Sequence, residues 1–223
     1  PGLFTSVSIA DPTNFTLAYA PNENGVANIT IRATDTGGLF VEDIFQVTVT
    51  AVNDEPDFTA ANPAAVSEDA GAQSVPGWVT AVDFGPADED VSQTVSQYII
   101  SNSTCGTLLS ADPAVNNAGD LTYTPNTDQN GTCTFDVQVQ DDGGILNGGD
   151  DTSPIHNFTI TVSVVNDEPD FTAANPAAVI EDSGLQSIAG WVTAVDFGPA
   201  DEDVNQSVSQ YIISNSTCGT LLS

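Results

Sequence analysis

Residues 52–110 and 165–223 carry nearly the same sequence, shifted by 113 positions and differing at seven of 59 places. The differences are Ser67/Ile180, Ala70/Ser183, Ala72/Leu185, Val75/Ile188, Pro76/Ala189, Ser92/Asn205 and Thr94/Ser207. A period of this length repeats a whole domain, so the chain is read as a linear array of units. The first 50 residues form a diverged back half of the same unit. Tyr19-Ala20-Pro21-Asn22 matches Tyr123-Thr124-Pro125-Asn126, Ala33-Thr34-Asp35-Thr36-Gly37-Gly38 matches Val139 to Gly144, and Ala27 stands where the other copy has Cys133. The expected division is therefore a C-terminal half unit over 1–52, a complete unit over 53–165 and an N-terminal half unit over 166–223. Cys218 repeats Cys105, and its partner is expected beyond the end of the sequence.

Within a unit the pattern is β. Ile44–Thr50, Phe135–Val139 and Phe158–Val164 alternate apolar and polar residues, the period of a half-buried strand. Shorter strands are predicted at Gly77–Val82, Gln97–Ser101 and Asp120–Thr124, separated by Gly, Pro, Asn and Asp. No stretch has a helical period. About seven short strands per repeat predict tandem Greek-key, immunoglobulin-like or cadherin-like β-sandwiches in an all-β array. Trp78, Trp191, Tyr98 and Tyr211 are expected in the cores.

Composition narrows the partners. Arg32 is the single basic residue against 31 acids, giving a formal charge of −30. Such self-repulsion excludes nucleic acid and anionic membranes and favours cations. No apolar run approaches the ~18 residues of a bilayer span, so no membrane insertion is expected in this segment. The cysteines lack zinc spacing, and a Cys105–Cys133 disulfide would place the chain in an oxidising, extracellular setting, secreted or at a cell surface. Seven sequons, starting at Asn14, Asn28, Asn102, Asn130, Asn157, Asn205 and Asn215, permit glycans. For catalysis there is little: His156 is the only histidine, at a predicted strand start suited to an edge or packing role. There is neither a nucleophile elbow nor a phosphate loop, and the chain is read as no enzyme.

The motifs Glu68 to Gln73, Gly77-Trp78-Val79-Thr80-Ala81, Gly85 to Glu89, Leu121 to Pro125 and Val165-Asn166-Asp167-Glu168-Pro169 resemble bacterial Ig-like, cadherin-like surface repeats with a "VNDxP" boundary. Members of that family are long secreted or surface-attached spacers and stalks. More distantly, Val52-Asn53-Asp54-Glu55-Pro56 is similar to the cadherin linker D-x-N-D-N-x-P, and Ala33-Thr34-Asp35-Thr36-Gly37 to the cadherin A-T-D-x-G motif. The linker's first Asp is replaced by Ala51 or Val164 and no D-R-E motif is present; Asp128, or Glu23 in the first half unit, is the candidate to stand in for it.

The resemblance implies calcium at each junction, held by carboxylates and carbonyls from two units and their linker. At the first it gathers Asn53, Asp54 and Glu55 with Asp83, Asp88, Asp90 and Asp141; at the second, Asn166, Asp167 and Glu168 with Glu68, Asp196, Asp201 and Asp203. The acidic loop from Asp141 to Asp151 lacks EF-hand spacing and reads as a solvent-exposed, Gly-rich connection. The expected function is a calcium-stiffened extracellular rod, the stalk or fibre of a surface adhesin, with neighbouring repeats as partners and scope for lateral association. The alternatives are a subunit of a filament joined head to tail by strand complementation, and a carbohydrate- or protein-binding module marked by exposed tryptophan.

Overall fold

The computed structural model describes residues 2–11 and 14–214, the side chains of Asp11 and Asp201 excepted. Cys218 and the sequon at Asn215 lie outside the described residues. The chain opens with two antiparallel pairs, β1 (Phe4–Asp11) with β2 (Asn14–Tyr19) and β3 (Gly25–Thr34) with β4 (Phe40–Val49). Between β2 and β3, Asn22 and Gly25 take left-handed backbone angles (φ 56° and 130°) that turn the chain.

A complete sandwich follows. Its strands are β5 (Asp57–Ala60), β6 (Val66–Ser67), β7 (Gln73–Val75), β8 (Val79–Asp83), β9 (Val95–Ser101), β10 (Leu109–Val115), β11 (Leu121–Pro125), β12 (Gly131–Asp141) and β13 (His156–Ser163). One sheet runs β6-β13-β12-β9, with β6 parallel to β13. The facing layer holds β10-β11-β7 and the pair β5-β8. β7 and β8 flank Pro76-Gly77, where Gly77 turns at φ 62° and its N–H donates to Asp120 Oδ1.

Alternation along β12 and β13 drives the packing. Phe135, Val137, Val139, Phe158, Ile160 and Val162 point inward against Phe58, Trp78, Leu121 and Tyr123. The Trp78 ring lies 4.6 Å from Phe158 and 6.1 Å from Phe135, and its indole N–H donates to the Ala61 carbonyl at 2.6 Å. A disulfide joins Cys105 to Cys133 in this core. His156 does begin a strand, its Nε2–H donating to Asp57 Oδ1 (2.7 Å) with its ring edge-on to Phe58.

After the second linker, β14 (Asp170–Ala173) pairs with β15 (Val192–Asp196), followed by a helical turn, α1 (Ala200–Asp203). The predicted burial of Trp191 and Tyr211 is not met: they are 45% and 53% exposed, because among the described residues no strands equivalent to β12 and β13 pack over them. Among the described residues, every side chain of the buried hydrophobic core falls between Phe58 and Val162. The accessible surface is 14793 Å², against roughly 9,600 Å² for a compact monomer of this mass. Exposed apolar side chains outside the complete sandwich, Trp191 and Tyr211 among them, contribute to the excess. No helix among the described residues is long and apolar enough to cross a membrane.

Candidate metal junctions

The first linker is locked by its own side chains. Asn53 is buried; its amide N–H₂ donates to both Asp141 oxygens (3.1 and 3.3 Å) and to the Asp150 carbonyl (2.6 Å), while its Oδ1 accepts from Gln93 (2.6 Å). A Cβ on Gly143 would stand 1.9 Å from Asn53 Oδ1, so only glycine fits there. The loop from Asp141 to Asp151 is thus a clamp over the linker at its Asp141 end, where the solvated connection expected from sequence would leave that acid exposed; Asp141 is buried. Burial pushes the Asp141 carboxyl up from its ordinary 3.8, opposed by the Gly143 N–H and the Asn53 amide, with the charges of Asp151 and Asp142 pushing it further up.

Asp54 offers its N–H to both oxygens of Glu89 (3.2 and 3.1 Å). Glu89 was not among the residues singled out from sequence, yet like Asp141 it is buried here. A turn beginning at Pro86, whose carbonyl accepts the Glu89 N–H, swings Glu89 back under the linker while Asp88 and Asp90 stay exposed. A Cβ on Gly85, at φ 116°, would meet Glu89 Oε2 at 2.6 Å. Burial raises the Glu89 carboxyl above its ordinary 4.5, against the pull of the Asp54 N–H, and the charges of Asp54, Asp88 and Asp141 raise it further. From the upstream half, Asn22, Glu23 and Asn24 line a cleft with Asp54, Asp88 and Glu89, and Asn24 donates to Asp88 at 2.7 Å.

Not every expected ligand arrives. Asp83 accepts the Gly85 N–H and Asp90 the Phe84 N–H, so both shape the turn, and they line a separate hollow with Asp57. Glu55 faces solvent.

The second linker repeats this scheme and adds residues from the complete sandwich. Asp167 donates its N–H to both oxygens of buried Glu202 (3.2 and 3.0 Å). Glu68, 1% exposed, accepts the Val165 N–H at 2.6 Å and the Asn130 amide at 3.4 Å, tying β6 to the linker. Carboxylate oxygens of Asp69, Asp128 and Asp167 lie within 4.8 Å of one another. Asp128 holds a left-handed turn (φ 56°) between β11 and β12, and Asp69 follows Glu68 directly. Asp167 Oδ2 is buried without a hydrogen-bond partner. Burial raises its carboxyl above 3.8, as do the charges of Asp69, Glu202, Asp128 and Glu68.

Asp196 and Asp203 again accept turn N–H groups (Gly198 and Phe197), Glu168 is exposed, and the Asp201 side chain lies outside the described residues. Asn166 is exposed, accepting from Gln206 and donating to the Asp167 carbonyl, without the clamp that buries Asn53. Glu89, Glu202 and Asp69 were missed in sequence. The helical turn after Gly-Pro was the available signal for the two glutamates, since it points every third or fourth residue back toward the linker.

Calcium ligands stand at roughly 2.3–2.6 Å from the ion, so oxygens sharing one ion lie at most about 5 Å apart. The Asp69, Asp128 and Asp167 oxygens satisfy that limit, and the orphaned Asp167 oxygen is of the hard, anionic kind calcium takes. These residues fit the ion.

No family model matches the sequence, and no curated protein is recognisably similar to it. Among solved structures the chain is similar to the crystal structure of mouse protocadherin-24 EC1-3, at 21% identity and a TM-score of 0.50. The match covers 85% of this chain and 61% of that one, so the chain spans about three fifths of the fragment's length. With the four-stranded sheet facing the β5, β7, β8, β10 and β11 layer, this likeness makes the chain an all-β array of cadherin-like sandwiches.

Proposed function

We propose that the chain is a non-enzymatic, extracellular segment of an adhesive stalk or fibre, with units divided at residues 52/53 and 165/166 and calcium stiffening the two junctions. The observation that carries this reading is Asp167: a buried, unpartnered carboxylate oxygen beside two further carboxylates from the preceding unit. At the second junction Asp69, Asp128 and Asp167 would hold the ion, with Glu68 and Glu202 fixing the linker beneath them. When bound, calcium supplies the positive charge that turns repulsion among these acids into attraction. Glu68 and Glu202 hold the Val165 and Asp167 N–H groups in place, so Asp167 is aimed at the site whether or not the ion is present.

At the first junction the upstream turn offers Asn22 and Glu23 where the second offers Asp128, so its affinity is expected to be lower. The disulfide supports an oxidising setting. Exposure of Trp191 does not favour a carbohydrate platform, because its repeat mate Trp78 is core once the back strands cover it. Thermal melts of the intact chain with calcium and with chelator test the reading. A rise in Tm with calcium, reduced in Asp167→Asn, is expected; identical melts with calcium and with chelator would sink it.

A further inference from the structure

Asparagine followed by glycine is a chemically weak pairing, because glycine has no side chain to keep its backbone nitrogen away from the asparagine carboxamide. The sequence has three such pairs, Asn24-Gly25, Asn130-Gly131 and Asn147-Gly148. The fold treats them differently. Asn24 donates its amide N–H to Asp88 at 2.7 Å, and Gly25 opens β3 in register with Val49. Asn130 donates to Glu68 at 3.4 Å, and Gly131 opens β12 in register with Val162. At either asparagine, attack by the glycine nitrogen must first break a hydrogen bond to a carboxylate and lift a strand end.

Asn147-Gly148 carries neither restraint. Both residues are exposed at the tip of the 141–151 loop, and among the described residues the Asn147 amide has no hydrogen-bond partner. Its backbone is left-handed (φ 57°, ψ 20°) within the short helical turn Leu146–Gly148. Gly148 follows at φ 89°, with nothing within 4 Å of where a Cβ would stand.

The same tip is fastened to the first linker. The Gly149 N–H donates to the Leu146 carbonyl (3.1 Å), closing the turn across Asn147. The next residue, Asp150, donates its N–H to the Asn53 carbonyl (3.0 Å) and accepts the Asn53 amide at its own carbonyl (2.6 Å). A Cβ on Gly149 would stand 3.0 Å from Asn53 Cβ, so loop and linker lie in close contact.

We propose that Asn147 is a site of spontaneous succinimide chemistry, and that its conversion to isoaspartate releases the clamp on the first linker. The Gly148 nitrogen attacks Asn147 Cγ. The N–Cγ bond forms, the Cγ–Nδ2 bond breaks, and ammonia leaves with the proton lost from the Gly148 nitrogen. Solvent water then opens the imide. Addition at Cγ gives aspartate; addition at the Asn147 backbone carbonyl gives isoaspartate, whose main chain runs through Cγ and is one methylene longer. That methylene falls between the Leu146 carbonyl and the Gly149 N–H, so the turn no longer closes and Asp150 is carried off Asn53. Either product also adds a negative charge to a cleft that Asn147 lines together with Asp88 and Glu89. Length and charge both act against the clamp, and the first junction softens as the chain ages. The inference does not rest on the calcium reading.

The test ages the intact chain in chelator at mildly alkaline pH and physiological temperature. Peptide mapping by mass spectrometry follows each asparagine, and electron-transfer fragmentation separates isoaspartate from aspartate. In the folded chain Asn147 is expected to convert at least about tenfold faster than Asn24 or Asn130, the factor that one hydrogen bond to a carboxylate imposes on them. In urea all three are expected to convert alike. Hydrogen exchange at the Asp150 N–H is expected to quicken in step with isoaspartate, and to stay slow in equally aged Asn147→Gln, whose longer side chain does not close the five-membered ring. Buried Trp78 fluorescence reports that the central sandwich stays folded throughout. Conversion of Asn147 no faster than of the other two in the folded chain overturns the site. Isoaspartate that accumulates without any change in Asp150 exchange overturns its effect on the clamp.

Discussion

At the scale of single residues, the junctions are governed by acids that burial and neighbours hold above their ordinary pKa. A carboxyl raised in the folded chain binds its proton more tightly there than in the unfolded one. Its contribution to stability is present below the unfolded value, near 4.5 for Glu89, and is lost as pH rises through the folded value. Metal-free protein is thus expected to lose this contribution as pH climbs above 4.5 and through the raised folded value. Asp120, Asp136 and Asp142, lowered by hydrogen bonds, work in the opposite sense, so the comparison must isolate one group. In chelator, Glu89→Gln is expected to flatten the fall, read from urea midpoints across that range against wild type. An unchanged slope would refute the assignment. The Asn53 clamp makes a second residue-level prediction. Gly143→Ala forces a methyl into Asn53 Oδ1 and unpairs a buried amide, for a loss of about 3 kcal/mol in urea unfolding. Sequence showed the acids and the Asn-Asp-Glu-Pro linker but not which acids turn inward. Asp83 and Asp90 are as acidic as Glu89 in a string of letters, and only the turn after Pro86 separates their roles.

At the scale of elements, strand alternation carried most of the fold into view. Phe135 to Val139 and Phe158 to Val162 read correctly as core-facing strands because each inward position is apolar and each outward one polar. What alternation cannot say is whether anything lies over an apolar face. Trp78 and Trp191 have the same local sequence, and they differ in burial because β12 and β13 cover only the first. The disulfide acts at this scale too. It closes a loop of 28 residues between the turn after β9 and strand β12, and such a loop stabilises by about 3–4 kcal/mol through the unfolded chain. Reduction is expected to lower the melting transition reported by Trp78 while leaving Trp191 emission unchanged, because Trp191 packs on none of this core. A parallel loss in both signals would mean that the halves melt as one unit.

For the whole molecule, charge and shape act together. Thirty net negative charges are spread along the sequence of a chain with half again the surface of a compact monomer. Within a junction they are close enough to matter: Asp69, Asp128 and Asp167 sit well inside the roughly 8 Å Debye length of physiological salt, so monovalent ions screen them poorly. Between junctions, a domain length apart, the same salt removes most of the repulsion. Stiffness should therefore respond to a divalent ion bound locally and only weakly to ionic strength. Small-angle scattering is the suitable measurement. Adding calcium is expected to lengthen the maximum dimension and narrow the spread of fitted conformers, as hinged linkers become fixed. Matching the ionic strength with sodium chloride is expected to do neither. Asp128→Asn should abolish the calcium response at the second junction, leaving whatever the first contributes through Asp54, Asp88 and Glu23. If sodium reproduced the effect of calcium, the linkers would be responding to net charge alone, and the clustered carboxylates would be solvated acids rather than a metal centre.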